Sequence, residues 1–222
     1  MFSRPVDFVK NIDNGKHVVI FYEDIEYSRT IILKYIENGL LNSEQCFLIS
    51  VNEDKKFIER EIQESINEIS SKIIDINEYI KYSLLYVGNF FEIYNYPNGI
   101  ENAIKDIIKL IKIQSSLYVH HTFKDANKKK ESKKIALKCL HKIETKEQIK
   151  NNILWEKNYR NTILRDALPN CSIICSYPIN DILSTIKGES SIYSEWMADL
   201  LEIYDAVIYA RRYWKGAAFN LI

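Results

Sequence analysis

Short, unbroken apolar runs alternate with amphipathic stretches along the whole of this chain. Residues 18–22 (VVIFY), 45–51 (QCFLISV), 171–177 (CSIICSY) and 206–210 (AVIYA) are nearly continuous apolar runs. Runs of that kind predict strands buried on both faces, as in the middle of a parallel sheet. Two weaker runs, 84–87 (LLYV) and 117–122 (LYVHHT), are read as a third and a fourth strand in chain order. Between the runs, apolar residues recur at helical spacing. Ile31, Ile32, Tyr35 and Ile36 form one stripe, behind an N-cap at Asp24 and with a left-handed cap expected at Asn38-Gly39. Phe57, Ile58, Ile62, Ile66 and Ile69 form a second stripe over residues 54–69. Ile104, Ile107, Ile108 and Ile111 form a third over 100–113, after a turn at 96–99 (YPNG). A long helix is expected over 147–168, ended by Pro169-Asn170, and shorter ones over 76–83, 182–186 and 195–203. Residues 1–14 read as a lead-in with a first helical turn after Pro5. The charged stretch 124–134 (KDANKKKESKK) reads as a solvated loop entering a helix.

Strands alternating with helices predict an α/β fold with a mostly parallel, doubly wound, three-layer sheet. No repeat or linker divides the chain, so one domain over 1–222 is expected. Composition then excludes several classes. Thirty basic residues balance thirty acidic ones, for a net charge of +0. No global field draws the chain to nucleic acid or to an anionic membrane. No apolar run approaches the ~20 residues of a membrane span. The charged N-terminal stretch is no secretory signal, so a cytoplasmic protein is expected. Cys171 and Cys175 are four apart, a spacing that fits neither a redox nor a zinc pair. Cys46, Cys139, Cys171 and Cys175 are read as reduced, mostly core cysteines, and no metal or cofactor is expected.

The first strand, turn and helix carry the main functional information. A phosphate loop needs glycines for close backbone approach and a lysine for charge. Here the turn is Tyr22-Glu23-Asp24-Ile25-Glu26, acidic and free of glycine. Carboxylates there would repel a triphosphate, so ATP hydrolysis and catalysis are not expected. Ligands of open α/β sheets bind beyond the carboxyl ends of the strands. Tyr22, Glu23 and Asp24 therefore form a candidate ligand edge, with plain helix capping as the alternative for Asp24. His120 or His121, at the end of the expected fourth strand, would join that edge. Trp155 and Glu156 lie on the expected long helix. Arg211-Arg212-Tyr213-Trp214-Lys215 mixes basic and aromatic residues and reads as a structural or partner surface.

The stretch Gly15-Lys16-His17 through Tyr22-Glu23-Asp24, then Tyr35-Ile36-Glu37-Asn38-Gly39-Leu40 and Glu44-Gln45-Cys46, resembles the MEDS domain. This is a sensory domain of methanogens, methylotrophs and dichloromethane-responsive regulators, with the opening pattern G-x-H-x-x-x-x-Y-x-[DE]. Leu154-Trp155-Glu156 and Cys175-Ser176-Tyr177 resemble its later helix and strand. The glycine of its G-E-x-C segment is absent, and Tyr204-Asp205 stands where the family has His-Pro. The resemblance implies a RecA/KaiC-like fold without its phosphate loop. It implies sensing of a small ligand and signalling through a partner protein, with homo-oligomers a further expectation. The ligand residues expected are His17, Tyr22, Glu23, Asp24, His120, Trp155 and Glu156. The alternatives are a residual nucleotide-binding or ATPase domain, with a metal bridging the acidic turn, and an oligomeric scaffold.

Overall fold

The computed structural model describes residues 5–50, 54–69, 75–89, 100–122, 132–138, 168, 170–180, 198, 204–209 and 212–215. Among the described residues, seven strands form one sheet: β1 (His17–Tyr22), β2 (Gln45–Ser50), β3 (Leu85–Asn89), β4 (Lys133–Lys138), β5 (Cys171–Pro178), β6 (Ala206–Tyr209) and β7 (Arg212–Lys215). Their order across the sheet is β3-β2-β4-β5-β1-β6-β7. The first six are mutually parallel, and β7 runs antiparallel at the edge beyond β6. The described helices are α1 (Pro5–Lys10), α2 (Ile25–Leu41), α3 (Lys55–Ile69), α4 (Ile76–Lys81) and α5 (Ile100–Thr122). The expected class, α/β with a mostly parallel doubly wound sheet, is what the structure shows.

Strand residues alternate between the two faces. Val18, Ile20, Cys46, Leu48, Ala136, Ile174 and Ile208 share one core with Ile31, Ile32, Tyr35 and Ile36 of α2 and Ile58 and Ile62 of α3. The opposite face carries Phe21, Phe47, Ile135, Ile173 and Tyr177, all buried. There, α5 docks at the head of β2. The Gln45 side-chain amide donates to the Gln114 carbonyl (3.1 Å), and the Ser115 hydroxyl donates to Gln45 Oε1 (3.0 Å). Connections that leave β1 and β2 run towards β3. Those that leave β3, β4 and β5 run the other way. With right-handed crossovers, α2 and α3 lie on one face and α5, which follows β3, lies on the other. Connections in opposite directions therefore meet at the carboxyl edge, as between β1 and β5 and between β2 and β4, and leave switch points there.

Three expectations need correction. Residues 117–122 are the end of α5, not a strand, because no glycine or proline stops the helix. The fourth strand in chain order is instead KKIALK, whose first two residues fall in the stretch read as a loop. Lys133 and Lys134 are buried in it. Gly39 is not a left-handed cap, because α2 continues to Leu41. The left-handed residue is Ser43, with φ 59°. Arg212, Tyr213, Trp214 and Lys215 form an edge strand. The expected turn at 96–99 and the helix over 147–168 lie outside the described residues, apart from Leu168. So do the helix over 182–186 and that over 195–203, apart from Ala198.

Candidate functional site

The turn between β1 and α2 stands at the switch point between β1 and β5. Tyr22, which is buried, pairs in register with Pro178 of β5. On the other face, the Phe21 and Tyr177 rings lie 6.3 Å apart. Glu23 and Asp24 then emerge into solvent. Asp24 is extended (φ −106°, ψ 115°), and its Oδ1 accepts the Glu26 amide at 2.9 Å. Its carbonyl accepts the Ser28 amide at 3.2 Å. The residue is thus the N-cap of α2, and its carboxylate takes up a first-turn amide that an anion would otherwise use. Glu26 is spoken for as well: both its oxygens lie 2.6 Å from Arg29 Nη1, and the guanidinium packs over the Phe57 ring. Glu23 is the turn carboxylate left to face a ligand. Acidic side chains suit the positive end of α2 and stabilise the turn without any anion.

Beneath the turn lies a polar feature that the sequence pattern did not single out. Ser28 of α2 and Ser176 of β5 are both 0% exposed, and neither hydroxyl has a hydrogen-bond partner among the described residues. Orphaned polar atoms in a core are uncommon and cost stability. Both belong to the interface between α2 and the sheet. Two helical turns on from Ser28, Tyr35 Oη reaches Ser172 Oγ and its carbonyl, each at 2.7 Å. Four residues on from Ser172, on the same strand face, comes Ser176. The two orphan hydroxyls thus occupy the carboxyl-edge end of the layer that Tyr35 and Ser172 knit together lower down. Two serines four apart in CSIICSY were the signal available in the sequence.

The other expected ligand residues do not gather here. His17 lies at the opposite, amino edge of β1, five residues from Tyr22, or roughly 16 Å along a strand. It is fully buried. Its Nε2 is 3.3 Å from Cys175 Sγ, and its ring meets Tyr204 edge-on at 4.3 Å. His17 is therefore a core residue of the amino edge rather than a member of the carboxyl-edge set. His120 and His121 belong to the last turns of α5. Gln114 of that helix already touches the head of β2. Residue 120 lies six residues, roughly 9 Å, further along the axis and away from the carboxyl edge. Trp155 and Glu156 lie outside the described residues. The structure thus brings together Tyr22, Glu23 and Asp24, and adds Ser28 and Ser176. Among the described residues, no group of three or more His, Cys, Asp or Glu side chains could hold a metal ion. Nor is any helix among the described residues long and apolar enough to cross a membrane.

No protein-family model and no curated protein matches the chain. Among solved structures, it is similar to a KaiC-like protein from the hyperthermophilic archaeon Pyrococcus horikoshii OT3. Identity is 15%, the match covers 88% of this chain and 72% of that one, and the TM-score is 0.47.

Proposed function

We propose that this chain is a small-molecule-binding sensory domain of the MEDS kind, a RecA/KaiC-like frame without a phosphate loop. One observation carries the reading. The strand, cap and helix at the switch point are all in place, but the Asp24 cap takes up a first-turn amide that an anion would otherwise use. A site with this lining favours a neutral or cationic ligand that donates to Glu23 and rests against Tyr22. The unpartnered hydroxyls of Ser28 and Ser176 lie below it, ready to bond a ligand or to rearrange when one binds. Such a domain reports occupancy to a signalling partner and performs no chemistry itself. The competing reading, a residual nucleotide-binding domain, needs a divalent metal between Glu23 and a phosphate.

Native mass spectrometry of the full chain, purified from its own host, should reveal a copurifying small molecule. Removing and re-adding it should raise the thermal midpoint. Tyr22→Ala combined with Glu23→Ala should abolish that rise, and the exposed Glu23→Gln alone should reduce it. An undiminished rise in both variants would place the site elsewhere. Calorimetry with Mg-ATP should show no binding tighter than about 1 mM, and tighter binding would favour the nucleotide reading.

A further inference from the structure

At the amino edge of the sheet, far from the turn just described, a cavity of about 410 Å³ opens between α1 and the heads of β1 and β6. Its volume is in the range of small-molecule sites. Phe8 and Ile12 wall it from the α1 side, and Val18 and Ala206 from the sheet. Tyr204 closes it on the side of His17. The polar rim is fixed by its own bonds. Asp205 Oδ1 holds Lys16 Nζ at 3.1 Å, its Oδ2 accepts the His17 amide at 2.9 Å, and its own amide donates to the His17 carbonyl at 2.8 Å. Asn11 gives its side-chain amide protons to the Asp7 carbonyl at 3.0 Å. The chain between them turns at Gly15, whose φ of 77° is one that side-chain-bearing residues rarely adopt.

What the rim leaves available is one-sided. The Lys16 ammonium is engaged by Asp205. The Asn11 amide oxygen and the exposed Asp13 carboxylate, which pairs with no cation among the described residues, are acceptors. Two carboxylates against one ammonium give the lining a net charge of −1. Apolar walls and a rim of acceptors suit an apolar or aromatic body that carries a protonated amine. They disfavour carboxylates and phosphates. The geometry points to this cavity as a second ligand site, distinct from the carboxyl edge, that binds small aromatic amines. Its polar anchors are Asp13 and Asn11, and Phe8 and Tyr204 form its aromatic walls.

Phenethylamine and its anionic counterpart phenylacetate are the probes, titrated into the full chain by calorimetry and by saturation-transfer NMR. The amine should bind with a Kd on the order of 1 mM, as its few heavy atoms allow, and phenylacetate should not bind detectably. Saturation should pass from Phe8 and Tyr204. Asp13→Lys changes only an exposed side chain and should weaken the amine about tenfold or more, a loss of ~1.4 kcal/mol. Phe8→Ala should weaken it independently of charge. The Tyr22→Ala, Glu23→Ala variant should bind it unchanged, which separates this site from the proposed sensory one. Equal binding of phenylacetate, no amine binding at millimolar concentration, or an Asp13→Lys protein that binds as before would each overturn the assignment.

Discussion

At the scale of single residues, Lys134 shows how a charge can be held inside a sheet. It is 2% exposed, on a central strand. Its ammonium lies 3.5 Å from Glu44 Oε2 and 4.7 Å over the Tyr35 ring. Burial pulls its pKa below the ordinary value, and Glu44 pulls it part of the way back. Glu44 is better placed: it keeps some water contact and accepts the Ser132 hydroxyl at 2.6 Å. The two partners should therefore respond unequally to removal. Glu44→Gln leaves a buried ammonium without its carboxylate and should cost about 3 kcal/mol. Lys134→Met replaces the lysine stem with an apolar one, leaves Glu44 hydrated, and should be near neutral or stabilising. Urea midpoints of the two variants decide the point, and equal losses would mean that the pair holds β4 in register. The same residue explains why the strand was hard to see. Lysines at its first two positions read as a solvated run, and nothing in the chain itself reveals the carboxylate, aromatic face and helix that cover Lys134.

At the scale of elements, the end of α2 separates two roles that glycine can play. Gly39 is helical, and a Cβ there would meet Cys46 Sγ at 2.5 Å and Lys134 Cδ at 2.9 Å. The residue is needed for close approach between α2 and the strands β2 and β4. The left-handed turn falls to Ser43, where Ser43 N bonds the Leu40 carbonyl (3.0 Å) and Glu44 N bonds the Gly39 carbonyl (2.9 Å). Gly39→Ala should therefore destabilise the protein, despite a helix-propensity gain of about 1 kcal/mol. Ser43→Gly should stabilise it by about 0.5–1 kcal/mol by relieving left-handed strain. Chemical unfolding of both variants tests the pair, and a stabilised Gly39→Ala protein would show that the contact yields cheaply. The contrast also marks what the sequence could convey about elements. β1, β2, β5 and β6 are legible because strands buried on both faces must be apolar throughout. The end of α5 was misread because LYV suits a strand locally, whereas the helix it continues had already set its conformation. The position of Tyr22, Glu23 and Asp24 at the carboxyl edge of the sheet was legible from strand–turn–helix order alone. The orphan hydroxyls of Ser28 and Ser176 were not, because they exist only where α2 crosses the sheet.

At the scale of the whole molecule, groups on both faces of the sheet give the protein a shared alkaline limit. Cys46 and Tyr35 lie in the layer under α2, and Cys171 points to the opposite face. Burial pushes all three upward. The Cys171 thiol rises from 9.0 to about 12, although Lys133 pulls the other way. Burial likewise keeps the Cys46 thiol and the Tyr35 hydroxyl protonated well above their ordinary ranges. In the unfolded chain these groups ionise near their ordinary values, so above about pH 8.5 unfolding releases protons. The unfolded state then binds fewer protons than the folded one, and stability must fall as pH rises through that window. Lys134 has the opposite sign, because its folded form gives up its proton before the unfolded one does. Two thiols and a phenol outweigh one ammonium, so the net slope is downward. Urea midpoints should therefore be flat from about pH 7 to about pH 8.5 and decline steadily towards about pH 11. Cys171→Ala should flatten the decline, because it removes one of the thiols that burial pushes upward and leaves Cys46 and Tyr35 in place. A midpoint that rises over that window, or a Cys171→Ala profile as steep as that of the parent, would show that the thiols are not held neutral by the folded core.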